Sequence, residues 1–177
     1  MRTRVLAVAA CTWIALLASG KPAVSAPVNG MAAYAGVTAH VYQETVHPGG
    51  NTIHYQSSGA SAAGDLQFVI NPKWSLNPAL SITYEDVTGD VSGTASNGMA
   101  TIQGRRWFGD YYLGAQVGAY FTVLATKNWS NSRRGDGAGV AAGYEAPEGW
   151  CYEVLLDDPF GTSAIAALQL QIGYRWH

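Results

Sequence analysis

The chain has 177 residues, 12% of them charged, and a formal net charge of −2. That is one domain's length, and with acids outnumbering bases and no basic stripe it excludes a nucleic-acid binder. Cys11 and Cys151 are its two cysteines, so removal of a leader containing the first leaves no intrachain disulfide framework.

Residues 1–26 read as that leader. Met1 to Arg4 is basic, Val5 to Leu17 is apolar, and Val24-Ser25-Ala26 puts small residues where a signal peptidase cuts. Pro27 is awkward just after that site, which leaves cleavage after Ser25 open. Val8 to Cys11 superficially matches a lipoprotein box, but the apolar run before Cys11 is too short. No other window approaches the roughly 18 apolar residues of a membrane helix. Residues 27–177 are then one domain rich in glycine, tyrosine and tryptophan, a composition that suits strands and turns.

The strands show as period-two alternation. Strand one is expected over 35–46, with Val37, Ala39 and Val41 on one face and Thr38, His40, Tyr42 and Glu44 on the other. A polar loop over 47–63 follows. Strand two, 64–71, sets Leu66, Phe68 and Ile70 against Asp65 and Gln67, and turns at Asn71-Pro72-Lys73. Strand three, 74–87, is the cleanest: Trp74, Leu76, Pro78, Leu80, Ile82 and Tyr84 oppose Ser75, Asn77 and Glu85. Pro78 lacks a ladder donor and predicts a bulge or a local weakness. After a loop over 88–97, strand four covers 98–108 with Thr101, Gln103 and Arg105 on its polar face. Gly109-Asp110 turns the chain into strand five, 111–125. A polar loop over 126–136 contains Arg134-Gly135-Asp136, a tripeptide known from adhesion ligands but also a common turn composition. Strand six spans 137–146, strand seven 150–156, and after a loop over 157–162 strand eight runs from Ser163 to the end.

Eight strands and no helical pattern predict an all-β fold, an eight-stranded antiparallel up-and-down transmembrane β-barrel. The connections after strands two, four and six are short and the others long and polar, as in barrels with short periplasmic turns and longer outer loops. Period alone leaves a soluble lipocalin-like barrel open, since either face can point inward. The aromatics favour a membrane: Trp74, Trp107, Phe108, Tyr111, Trp150, Tyr174 and Trp176 all fall at the periplasmic strand ends, where an interfacial girdle belongs. Leu170-x-Ile172-x-Tyr174-x-Trp176 completes the pattern. It resembles the C-terminal strand of the small bacterial outer-membrane β-barrels, such as the membrane domain of OmpA and the OmpX- and OmpW-type proteins. In that family the last strand ends in an aromatic; here His177 trails it. The resemblance implies residence in the outer membrane, contact with its lipids and lipopolysaccharide, and recognition of the last strand by the barrel-assembly machinery.

On the lumen face the clear cations are Arg105 and Arg175, with Glu44, Glu85, Glu145 and Glu153 as candidate partners. Eight strands leave a bore that side chains fill, so these six residues predict a plugged, charge-paired lumen. Phe108, with Trp74, Tyr111, Trp150, Tyr174 and Trp176, forms the predicted girdle. Arg106 falls on the lipid face near the periplasmic end, able to reach headgroups. Cys151 reads as an inert lumen thiol. His40 and Glu44 share a face but stand about 13 Å apart at roughly 3.3 Å per residue, too far for a catalytic pair. His47 and His54 fall in the first loop. No catalytic, metal or cofactor site is expected. The leading function is structural or surface interaction, with loops 47–63 and 126–136 as the surface-ligand sites. A narrow channel for small, apolar molecules is the alternative, followed by lipid A modification and a soluble lipocalin-like binder.

Overall fold

A computed structural model of the protein describes residues 27–46, 51–127, 130–158 and 167–177, with the side chains of 41–46, 51–53 and 158 outside that description. Residues 1–26, the expected leader, also lie outside it. Eight strands follow in order: β1 (Gly30–Val46), β2 (Asn51–Asn71), β3 (Trp74–Gly89), β4 (Gly93–Phe108), β5 (Tyr111–Thr126), β6 (Ser130–Glu145), β7 (Trp150–Asp158) and β8 (Ala167–Trp176). Each pairs antiparallel with its sequence neighbours, and β1 pairs with β8 from Met31↔Trp176 to His40↔Ala167. The sheet closes on itself, so the ring has no edge strand.

The three short connections are built by their residues. At Gly109-Asp110 the flanking Phe108 and Tyr111 pair directly, and Gly109 takes φ 70° while no non-glycine among the described residues has positive φ. That is the pattern of a two-residue turn with glycine first, whose twist matches the strands it joins. At Pro72-Lys73 the Asn71 side chain accepts the Lys73 N–H at 2.9 Å, and the register shifts between Val69 and Asn71. The third, Ala146 to Gly149, closes with Gly149 N–H to Ala146 C=O at 2.8 Å. Pro78 causes no bulge. It stays in register with Ile102 on β4, and the β2–β3 ladder keeps its register but omits the pairs between Asp65↔Ala79 and Phe68↔Leu76. A residue without an N–H leaves this kind of local gap.

The strands outrun their predicted lengths at the outer end. Residues 51–63 are part of β2, 93–97 of β4 and 130–136 of β6. The expected loops 47–63 and 126–136 are corrected accordingly: 47–50 and 128–129 lie outside the described residues, and most of the rest is strand. A membrane-crossing strand needs only about 9–11 residues, whereas β2 has 21. Beyond the bilayer the outer face no longer has to be apolar, so the alternation that marks a strand disappears there. Arg134-Gly135-Asp136 is therefore ladder, with Arg134 opposite Phe121 and Asp136 opposite Ala119. The expected start of β8 at Ser163 falls outside the described residues; the described strand begins at Ala167.

Candidate functional site

The barrel is turned inside out relative to a soluble protein. Leu80 is 68% exposed, Val117 63% and Ile70 67%, whereas Glu85, Asn77 and Gln169 are 0% exposed. On β3 the outward apolar run Trp74, Leu76, Pro78, Leu80, Ile82, Tyr84 gives way to Asp86 and Thr88. Ten residues at roughly 3.3 Å each, tilted about 40°, rise some 25 Å, the height of a barrel's apolar band. A continuous belt of this kind is far larger than the apolar patches of soluble monomers. A closed ladder is also the strand arrangement whose backbone is satisfied in hydrocarbon. The belt is a lipid-facing surface.

At its lower edge the aromatic rings touch one another around the wall. Tyr111 and Tyr144 are 5.0 Å apart between centroids, Trp150 and Tyr174 5.6 Å, and Tyr174 and Trp176 5.4 Å. Trp74 and Phe108 flank Arg106, whose guanidinium carbon is 5.5 Å from each ring. Trp107 is the exception. Its parity points it inward, where it is buried and donates its indole N–H to Ser75 Oγ at 2.9 Å.

The lower lumen holds one ion cluster. Arg175 forks onto Asp65 at 2.9 and 3.2 Å and donates its Nε–H to Glu145 at 2.9 Å. Arg105 reaches the same Asp65 at 2.7 Å and Glu153 at 3.2 Å. It also lies 4.4 Å over the Tyr112 ring, whose hydroxyl donates to Glu153 at 2.7 Å. Tyr34, Gln67, Gln103 and Asn77 take up remaining donors and acceptors of the cluster. Buried charges are tolerable when paired and hydrogen-bonded in this way.

Glu85 stands in a separate, higher cluster. Its carboxylate accepts from His40 Nδ1 at 2.7 Å, from Thr83 at 2.6 Å, from Asn97 at 3.0 Å and from the Ser57 hydroxyl. The expectation that Glu85 would face an arginine is thus corrected. Strand tilt lifts it to the level of His40 on β1, two strands away, and out of reach of both arginines. Glu44 lies in β1 opposite Ile53, and its side chain is outside the described residues. Between the clusters, Asp157 accepts from Gln116 at 2.6 Å and from Gln169 at 3.5 Å. An apolar group of Tyr55, Val87, Ala95 and Leu124 packs together toward the outer end. A cavity of about 30 Å³ remains beside Asp65, Ser81, Arg105 and Glu153, room for about one water molecule. Cys151 is buried at the lower end, its Sγ 3.4 Å from the Gly149 carbonyl.

Two contributors were not singled out in sequence. Asp65 was only one of several polar residues on the inner face, yet both arginines converge on it. Asp157, expected in the loop over 157–162, is an inward residue of β7. Parity marks each as a lumen residue; which strand supplies its partner is set by tilt.

Packing this tight depends on missing side chains. A Cβ on Gly143 would run into the Tyr112 ring, while one on Gly104 would meet nothing within 4 Å. Gly143→Ala is therefore expected to cost about 1–3 kcal/mol in denaturant titrations of the micelle-bound barrel. Gly104→Ala, measured alongside, leaves the midpoint unchanged.

Outward apolar belt, aromatic lower edge, charge-paired lumen and eight-strand closure together define the small outer-membrane β-barrel fold. Among solved structures, Ail, the attachment invasion locus protein of Yersinia pestis, shares it with a TM-score of 0.56 at 13% identity, covering 85% of this chain and 100% of its own. Neisserial surface protein A shares it with a TM-score of 0.55 at 11% identity, covering 82% and 95%. No protein-family model and no curated protein sequence matches the chain.

Proposed function

We propose that this protein is an exported outer-membrane barrel with a structural or surface-interaction role, and that its lumen does not conduct. Residues 1–26 direct export and are removed, and the closing strand Ala167–Trp176 is what the assembly machinery recognises. The carrying observation is the filled bore: side chains from all eight strands meet inside it, with the apolar group of Tyr55, Val87, Ala95 and Leu124 packed toward its outer end. Interaction then falls to the outer wall and to the strand extensions above the belt, where outward residues such as His54, Gln56, Asp86 and Ser96 are polar and exposed. We read no turnover in the lumen, because His40 commits its Nδ1 to Glu85 and both groups are buried. Purified protein inserted into planar bilayers is expected to pass no stepwise current. Discrete conductance steps from the folded, heat-shifting form would replace this reading with the narrow channel.

A further inference from the structure

We propose that the wall around β4 is a binding site for an anionic phospholipid of the leaflet on the side of the short turns. This inference rests on the membrane reading above. Two unneutralised cations mark the headgroup end. Arg106 is exposed between Trp74 and Phe108. Lys73, also exposed, is held beside it because the Trp107 N–H donates to the Lys73 carbonyl at 2.9 Å. Among the described residues neither forms an ion pair. The nearest turn carboxylate, Asp110, is buried.

Above the cations the wall is hollow. Trp74 pairs with Arg106, Leu76 with Gly104, and Pro78 with Ile102. Gly104 presents no side chain to the lipid, and a Cβ there would meet open space. Immediately above, an outward groove of about 910 Å³ runs round the wall, from Met31 and Trp176 past Leu66 and Leu80 to Ala100, Ile102 and Val117. From Arg106 to Ile102 is four residues, about 13 Å of strand, close to half the hydrocarbon thickness of about 30 Å. A phosphate at Arg106 and Lys73 therefore places its acyl chain across Gly104 and into the groove. The aromatic rings on either side of Arg106 hold the glycerol level, as interfacial aromatics do. The two positive charges select a headgroup that is net negative over one that is zwitterionic.

The test is native mass spectrometry of the full mature barrel, equilibrated in mixed micelles with phosphatidylglycerol or phosphatidylcholine, its folding verified by the heat-shifted gel band. One phosphatidylglycerol per barrel is expected to be retained in preference to phosphatidylcholine. Arg106→Gln and Lys73→Gln each lower that retention about fivefold. Gly104→Leu lowers retention of both lipids without moving the heat shift. Equal retention of the two lipids by the wild-type barrel overturns the proposal, as does unchanged retention in the Arg106→Gln/Lys73→Gln double variant. A lipid-free dimer that Gly104→Leu dissolves also overturns it, assigning the groove to a second copy of the chain. A chain that stays soluble without detergent and shows no heat shift overturns the membrane reading itself, a result distinct from all of these.

Discussion

Arg175→Met is expected to lower the stability of the folded barrel by about 3–5 kcal/mol, the cost of removing one partner from a buried ion pair. The arginine is buried and contacts Asp65, Glu145 and Tyr34 with its donors. Methionine fills part of the volume but leaves Glu145 without a cation, while Asp65 keeps only Arg105. Urea unfolding in micelles, followed by tryptophan fluorescence and by the heat-shifted band, measures the effect as a fall in midpoint at constant slope. Neutralising the cluster tests the cause. Arg175→Met combined with Asp65→Asn and Glu145→Gln is expected to recover much of the loss, because a buried ion cluster replaced as a whole costs far less than one broken open. A triple variant no more stable than Arg175→Met means that lost packing, and not stranded charge, is what the single substitution measures.

Leu80→Arg is expected to cost about 2–4 kcal/mol, the cost of a cation at the middle of the lipid-facing band. Leu80 points outward midway up the belt, three pleats above Trp74. Thr88→Arg, on the same strand face above the belt, is expected to cost about 0–1 kcal/mol. The contrast decides the environment. In water an arginine at an exposed leucine is neutral or helpful, so equal stability of the Leu80→Arg and Thr88→Arg proteins removes the bilayer from the outer wall.

Much of this was legible in the residues themselves. Period-two alternation with apolar residues on one face locates strands wherever that face meets lipid, because hydrocarbon accepts few alternatives there. β3 was readable to within two residues for this reason. The same constraint vanishes above the bilayer, so the outer halves of β2 and β6 read as loops, and Arg134-Gly135-Asp136 as a loop tripeptide. Ser58, Ser130 and Ser132 in those stretches are exposed strand residues, while Ser57 and Ser61 turn into the lumen.

In the lumen, parity decides which side chains enter, and from sequence it placed Arg105, Glu145, Glu153, Arg175 and Cys151 inside. It also sends Trp107 inward, although its position near a strand end suggests the girdle. Parity cannot decide who meets whom. A tilted, staggered barrel brings together residues far apart in the chain, Asp65 with Arg175 and His40 with Glu85 among them. Their heights depend on the register of every intervening strand. What the sequence determines alone is the two-faced strand, its count and its aromatic edge, since these follow from local periodicity and the solvent each face requires. What only the tertiary structure decides is the pairing of buried charges and the hollow beside Arg106. Both are consequences of how eight strands close into a ring.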